Sequence, residues 1–368
     1  MKIAIDAREM AGVLAGKGRY ITELVKALAV IDHDNQYYLY SKEPIPVELP
    51  ANFEKVKIGG LPGLRQLWLT LDAKHKRADL LFAPTGYLPI ILSLIPTIMT
   101  VHDLALFITA DARPSFKTLL AERLLLGLAV KKASRVITVS QSTKRDLHKI
   151  FRVPIKKVDV TLLGYDAERY TPVATIEDAE ILTTYSLQAT NYLLFIGTLE
   201  PRKNIVGLIT AYGALPEGLR KTYPLVIAGQ KGWFYDEIFE TVKKLKLVES
   251  VRFLGRIPDA HIATLYRQAR LFAFPSFYEG FGLPALEALA SGTPVITSNL
   301  SSLPEVVDKG GLLIDPNDTD SISSALTTLL TDEATYQKLK NETIDQAKQF
   351  SWSVTATETL DSFMKVRK

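Results

Sequence analysis

The sequence predicts an α/β protein built from two doubly wound parallel-sheet domains. Three observations carry that expectation. Short apolar runs rich in branched residues alternate with longer stretches of helical periodicity, the pattern of strands joined by crossover helices. The alternation occurs twice, on either side of a stretch at 164–190 in which both signals fade around Tyr170-Thr171-Pro172. A chain of 368 residues also corresponds to two domains at roughly 150 residues each.

Taken in order, the candidate strands of the first half are 2–5, 37–40, 80–83, 97–101 and 136–139. Those of the second half are 192–196, 225–228, 251–254, 271–274, 294–297 and 312–314. Each is a near-continuous apolar run, as expected of strands buried on both faces. The linker is placed near residue 170, which gives a first domain over 1–170 and a second over 171–350. The last stretch, 351–368, reads as a helix following Trp352. In open α/β sheets, ligands sit beyond the carboxyl ends of the strands, so the loops that follow these strands are where function is sought.

Composition narrows the chemistry. Hydrophobic content of 47% with 23% charged residues is ordinary for a folded soluble chain. There is no cysteine, which excludes disulfides, thiolate zinc sites and thiol nucleophiles. The start, MKIAIDARE, has no apolar core of signal-peptide length, and Asp6 interrupts it. No run of about 18 apolar residues occurs, so no spanning helix is expected and a cytoplasmic protein is the default. Charge is uneven. Residues 1–168 carry 24 Lys and Arg against 17 Asp and Glu, and the other 200 carry 20 against 23.

In the first half, Gly12, Gly16 and Gly18 precede a helical pattern that runs through Leu28. The spacing is that of a phosphate loop or a flexible turn, but it fits neither common fingerprint. A Walker loop needs Ser or Thr after Lys17, where Gly18 stands, and a dinucleotide loop needs a small residue where Ile21 stands. His102, with Asp103, lies at the carboxyl end of strand 97–101. Taken alone such a histidine is more often structural. Asp103 is expected to orient the loop, and Ser140, at the end of strand 136–139, is a weaker candidate of the same type as His102.

In the second half, GTLEPRKN follows the first strand, so Gly197 is followed by the adjacent cations Arg202 and Lys203. Cations in that position can neutralise a departing diphosphate; the alternative is a pair of surface charges on a helix start. Gly229 and the segment Gly255-Arg256-Ile257 close two further strands. The chain is organised around FPSFYEGFGLPALEALASG at 274–292. Here a strand passes through Gly280-Phe281-Gly282-Leu283 into a helix beginning near Pro284 and ending near Gly292. Proline suits a first turn and glycine a helix end. The helix start presents backbone N–H groups that bind hydroxyls or phosphates. Glu279 and Glu287 bracket the turn and can hold two polyols; the bland alternative is a capping carboxylate and a solvated one.

The run EGFGLPALEALASGTPVI resembles the signature of the family 4 glycosyltransferases, retaining enzymes of the GT-B fold with two Rossmann-like domains facing across a cleft. The resemblance covers most of the chain and is strongest over about 195–320. It implies that a nucleotide diphosphate sugar donates a hexose to an acceptor hydroxyl, with no cofactor and no metal. No aspartate pair flanked by apolar residues is present.

By the same resemblance Glu287 holds the ribose, Glu279 the donor sugar, and the N–H groups of Phe281, Gly282 and Leu283 bind sugar hydroxyls and phosphate. Arg202 and Lys203 stabilise the leaving diphosphate, and His102 bonds a sugar hydroxyl. Gly16, Gly18 and Gly197 approach the donor, Arg256 and Ile257 line the base pocket, and the last helix returns to the first domain.

The GKGRYITEL start resembles mannosyltransferases of polysaccharide assembly, which makes GDP-mannose the first donor to consider. A sugar-nucleotide epimerase of the same fold and a non-catalytic nucleotide-sugar binder are the alternatives. Expected partners are the donor, a carbohydrate or lipid-linked acceptor and an anionic membrane surface, with no nucleic acid. The membrane expectation comes from Leu64, Leu67, Trp68 and Leu71, followed by Lys74, Lys76 and Arg77. A second run at 119–128 is flanked by Arg113, Lys117, Lys131 and Lys132. The alternative is that both leucine faces are core and the cations keep the protein soluble, since most leucine stripes at this spacing pack inward.

Overall fold

The computed structural model describes residues 1–11, 16–61, 63–109 and 116–367. They form two compact units. The first takes in the described residues up to Phe107 with those of 116–164 and 351–367; the second takes in 165–350 with 108 and 109. The chain thus passes from one unit to the other after Gly164, where the sequence placed the linker near 170.

The first unit runs β1 (Lys2–Asp6), α1 (Gly16–Ile31), β2 (Gln36–Ser41), β3 (Phe53–Lys57), α2 (Arg65–His75), β4 (Leu80–Ala83) and α3 (Leu88–Leu92). It continues with β5 (Thr97–Val101), α4 (Ala105–Ile108), α5 (Phe116–Lys132), β6 (Arg135–Thr138), α6 (Gln141–Phe151) and β7 (Val158–Val160). Its seven strands are parallel, in the order β3-β2-β1-β4-β5-β6-β7. β4 and β5 are buried along their whole length, which is why they read as unbroken apolar runs.

The second unit runs α7 (Asp178–Thr184), β8 (Leu193–Ile196), α8 (Ile205–Gly213), α9 (Glu217–Thr222), β9 (Leu225–Ala228), α10 (Asp236–Lys244), β10 (Val251–Gly255) and α11 (Asp259–Arg267). There follow β11 (Leu271–Phe274), α12 (Leu283–Ala290), β12 (Val295–Ser298), α13 (Leu303–Val307), β13 (Gly311–Ile314), α14 (Thr319–Thr331) and α15 (Glu333–Ala347). Six parallel strands are ordered β10-β9-β8-β11-β12-β13.

Strand order reverses at β1/β4 in the first sheet and at β8/β11 in the second. Loops leaving the carboxyl ends of these pairs diverge and open a crevice. That topology, more than any single motif, decides where side chains from distant sequence positions meet.

The last helix, α16 (Trp352–Arg367), belongs to the first unit and packs along α1. Phe363 is fully buried, edge-on to Phe82 at 5.2 Å, and Thr355 Oγ1 donates to the Leu162 carbonyl at 2.6 Å. Lys365 reaches Asp159 at 2.9 Å.

Candidate donor site

The loop after β8 ends in a short 3-10 turn, Pro201–Lys203, and Asn204 follows in the left-handed region at φ 54° before α8 begins. Asn204 is held there by its amide, which donates to the Pro316 carbonyl at 2.7 Å. The turn aims both cations toward the neighbouring strand of the switch point. Lys203 is buried, with Nζ 2.6 Å from a Glu279 carboxylate oxygen and 4.9 Å from the Phe274 ring centre. Arg202 lies 3.0 Å from the other Glu279 oxygen, donates to the Tyr278 carbonyl at 2.6 Å, and pairs with Glu200 at 2.6 Å. These are not surface charges on a helix start.

Glu279 comes from the loop after β11. Its own N–H donates to Ser301 Oγ at 3.0 Å. Ser302 Oγ lies 2.9 and 2.8 Å from the carbonyls of Glu279 and Phe281, so one hydroxyl pins both ends of the turn. Burial pushes the Glu279 carboxyl up, yet the adjacent Lys203 and Arg202 more than reverse this and hold it below its ordinary value. Burial draws the Lys203 ammonium down, with the Glu279 carboxylate opposing.

The turn then enters α12. Gly282 is the N-cap at φ +110°, a conformation side chains rarely adopt, and a Cβ there would stand 2.8 Å from Leu303 Cδ2. Pro284 occupies the first turn, and among the described residues no side chain caps the helix. Pro284 has no N–H and the Ala285 N–H donates to the Gly282 carbonyl at 2.9 Å, so in the first turn it is the Leu283 N–H that is left to an outside acceptor. Glu287, one turn further on, is buried, which rules out a solvated face. Phe281 is buried against Phe350, with ring centres 5.8 Å apart.

Gly197, at the end of β8, faces Gly229 at the end of β9. A Cβ on Gly229 would come within 1.8 Å of the Gly197 carbonyl oxygen, so the two backbones touch. Gly229 N–H in turn donates to the Gly255 carbonyl at 2.7 Å. Beyond Gly255, Arg256 is exposed and Ile257 buried. Beside this loop cluster lies a cavity of about 400 Å³ lined by Glu200, Asn204, Phe234, Phe277 and Pro316 among others.

In the first unit Gly16 opens α1, exposed, and Gly18, two residues on, is buried. Gly12 lies outside the described residues, as does Arg113. His102 is partly buried, edge-on to Tyr20 at 4.8 Å, with Nε2 2.8 Å from the Pro84 carbonyl. A carbonyl only accepts, so Nε2 carries the proton and Nδ1 is left as an acceptor. Burial lowers the imidazole to about 4, so it is neutral at pH 7. Asp103 Oδ1 accepts from the Ala105 N–H at 3.1 Å, which fixes the start of α4.

Ser140 does not belong with His102. It is fully buried and caps α6, accepting from the Thr143 N–H at 3.0 Å, so its strand-end position reflects a helix start.

Two groups at the crevices went unnoticed in the sequence. Glu200, buried at 4% side-chain exposure, shares Arg202 with Glu279. Asp6, fully buried at the end of β1, grips Arg8 through two 2.7 Å contacts at the first switch point. The signals were present, as an acid two residues from an arginine in EPR and DAR.

Two doubly wound sheets, each with its crevice at the strand-order reversal, and a charged cluster beside a glycine-capped helix start match the GT-B fold of the glycosyltransferases that use nucleotide sugars. The chain belongs to the family 4 glycosyltransferases. Residues 15–169 match the model of Glycosyltransferase Family 4 and residues 185–349 that of Glycosyl transferases group 1. It is 35% identical to O-antigen chain mannosyltransferase B of Escherichia coli, with 99% of each chain covered.

Among solved structures, sucrose-phosphate synthase from Thermosynechococcus elongatus superposes with a TM-score of 0.78 at 21% identity, covering 99% of this chain and 98% of that one. Anabaena Alr3699/HepE in complex with UDP and glucose gives 0.76 at 19%, covering 99% of each. At these identities the structures speak to the fold.

Proposed function

We propose that the protein moves a mannosyl residue from GDP-mannose to a hydroxyl of a carbohydrate or lipid-linked acceptor in polysaccharide assembly. In this reading the configuration is retained, no metal takes part, and the protein works in the cytoplasm at the inner face of a membrane. The observation that carries it is the buried Lys203–Glu279–Arg202 cluster at the β8/β11 switch point, beside the glycine-capped start of α12. The name of the E. coli relative supports mannose as the sugar.

Arg202 and Lys203 take the diphosphate, where two cations offset the charge that develops on the leaving group. Glu279 then accepts from donor sugar hydroxyls, the N–H groups of Phe281, Gly282 and Leu283 donate to hydroxyls and phosphate, and Glu287 holds the ribose. Gly16, Gly18 and Gly197 give the donor close backbone approach. Arg256 and Ile257 line the base, and His102 accepts a hydrogen bond from a sugar hydroxyl at Nδ1. The acceptor oxygen bonds the anomeric carbon on the face from which the diphosphate departs, and the leaving phosphate takes the acceptor's proton. The products are GDP and the mannosylated acceptor.

Thermal melting against GDP, UDP, ADP and their sugars tests the donor. A ligand at 100 times its Kd adds about 2.7 kcal/mol, and GDP and GDP-mannose should give the largest shifts. Stabilisation by UDP-sugars alone would replace the donor. A product with inverted anomeric configuration by NMR would overturn retention, and lost turnover in chelator, restored by a divalent cation, would overturn metal independence.

A further inference from the structure

On one face of the first sheet, α2, α3 and α5 lie side by side, with α3 packed against both neighbours. This is the layer that rightward crossovers from β3 to β6 must share. α5 buries Leu126, Ala129 and Val130 against the sheet and turns Leu120, Leu124 and Leu128 outward. These three are 45–58% exposed and repeat every fourth position, with exposed Lys117 and Lys131 at the two ends of the same stripe.

α2 repeats the arrangement. Leu69 and Ala73 are buried, while Leu64, Leu67 and Leu71 are exposed and lead into exposed Lys74. Between them α3 exposes Leu88 and Leu92. Ten of the exposed leucines among the described residues lie in the first unit and three in the second. Single exposed leucines are unremarkable, but a contiguous apolar face marks an interaction surface.

Two expectations need correction. Trp68 does not join the outward stripe; it packs inward over Gly59 and Gly60 and onto the core beside Tyr40. Lys76 is engaged with Glu54 at 2.7 Å and the Tyr38 ring.

Charge selects the occupant. Residues 61–77 and 116–132 together carry eight Lys and Arg against two carboxylates; Lys76 is taken by Glu54 and Lys132 by the Ile91 and Ser93 carbonyls, while Asp72 accepts from the Tyr40 hydroxyl, so the balance on the face stays positive. Along α5 the leucines line an apolar hollow of about 380 Å³ with Ile150 and Phe151, edged by Arg123, Lys131 and Arg152. We infer that this α2–α3–α5 face docks the protein on an anionic phospholipid bilayer, the leucines entering the interface and the cations meeting the headgroups. It deepens the lipid-linked-acceptor reading, on which its purpose rests, while its test reads binding with no turnover and so fails or succeeds separately.

The purified chain is sedimented with vesicles of phosphatidylglycerol and phosphatidylcholine, and with vesicles of phosphatidylcholine alone. Binding should require the anionic lipid and weaken as salt shortens the screening length. The exposed triple variant Lys74→Gln, Arg77→Gln, Lys131→Gln should bind on the order of 10²-fold more weakly. Leu120→Gln, Leu124→Gln, Leu128→Gln should lose about as much, since each leucine is already half exposed and has only the interface left to gain. Both variants should keep the parent's melting temperature and nucleotide response, which separates lost docking from lost folding. No binding at low salt, equal binding to neutral vesicles, or variants that bind like the parent would overturn the inference. So would a concentration-dependent dimer that the leucine variant abolishes in the absence of vesicle binding, which would give the face to a second copy.

Discussion

Glu279→Gln is the most informative single change, because it removes a charge and leaves the shape. In the native cluster the carboxylate lies 2.6 Å from Lys203 and 3.0 Å from Arg202, and both Glu279 and Lys203 are 8% exposed. Arg202 keeps Glu200 at 2.6 Å when the charge is gone, so the loss falls on Lys203, left buried against a neutral amide and the Phe274 ring. Removing one partner of a buried pair costs about 3–5 kcal/mol, whereas replacing both with apolar groups is often neutral. The single variant should therefore melt roughly 10 °C below the parent by scanning calorimetry, at a few degrees per kcal/mol for a unit of this size. Adding Lys203→Met should recover most of that loss, giving a coupling of at least about 2 kcal/mol. Turnover should fall on the order of 10²-fold or more in both, because the stabilised double variant has regained folding and not the groups that meet the donor. A single variant that melts with the parent, or a double variant no more stable than the single, would refute the account of the cluster.

Gly282→Ala should lower stability by about 1–3 kcal/mol through its Cβ contact with Leu303 and its φ of +110°, and should weaken donor binding in calorimetric titration. Glu287→Ala should cost on the order of 10²-fold in kcat/KM by losing a charged contact to the nucleotide, read by steady-state kinetics. His102 sits at about 4 when folded, because burial disfavours the cation, against about 6.5 unfolded. Its contribution is present above pH 6.5 and lost as pH falls toward 4, about 2 kcal/mol of it by pH 5. Chemical denaturation at pH 7.5 and 5 should show His102→Gln losing less stability than the parent over that interval; equal losses would contradict the burial of the imidazole.

Much of this was legible in the chain, for a physical reason. All eleven runs read as strands are strands, displaced by at most one residue at either end. Strands covered on both faces must be apolar throughout, and that pattern survives without context. The two missed strands, β3 and β7, are the edges of the first sheet. β3, FEKVK, is exposed at three of its five positions, and β7 is three residues long; an edge needs only one covered face and carries charge to discourage pairing. The α12 turn was equally readable, since glycine, proline and carboxylates there each answer a backbone requirement at a fixed offset.

What stayed hidden is pairing. Nothing in EPRK states that Arg202 divides itself between Glu200, two residues before it, and Glu279, seventy-seven residues after it; that follows only from β8 and β11 lying side by side at the switch point. The same limit applies to the leucine stripes. Periodicity says that Leu120, Leu124 and Leu128 share a helix face, and also that Leu126, Ala129 and Val130 share the opposite one, without saying which meets the sheet. Both faces of α5 are apolar enough to be core, and the sheet has room for one. The smaller side chains Ala129 and Ala133 let the helix settle close to the sheet, which leaves the larger leucines outside. An exposed apolar face here is thus a consequence of the fold choosing its better-fitting side, and it persists in the folded protein as a surface that water disfavours and an acyl interface would not.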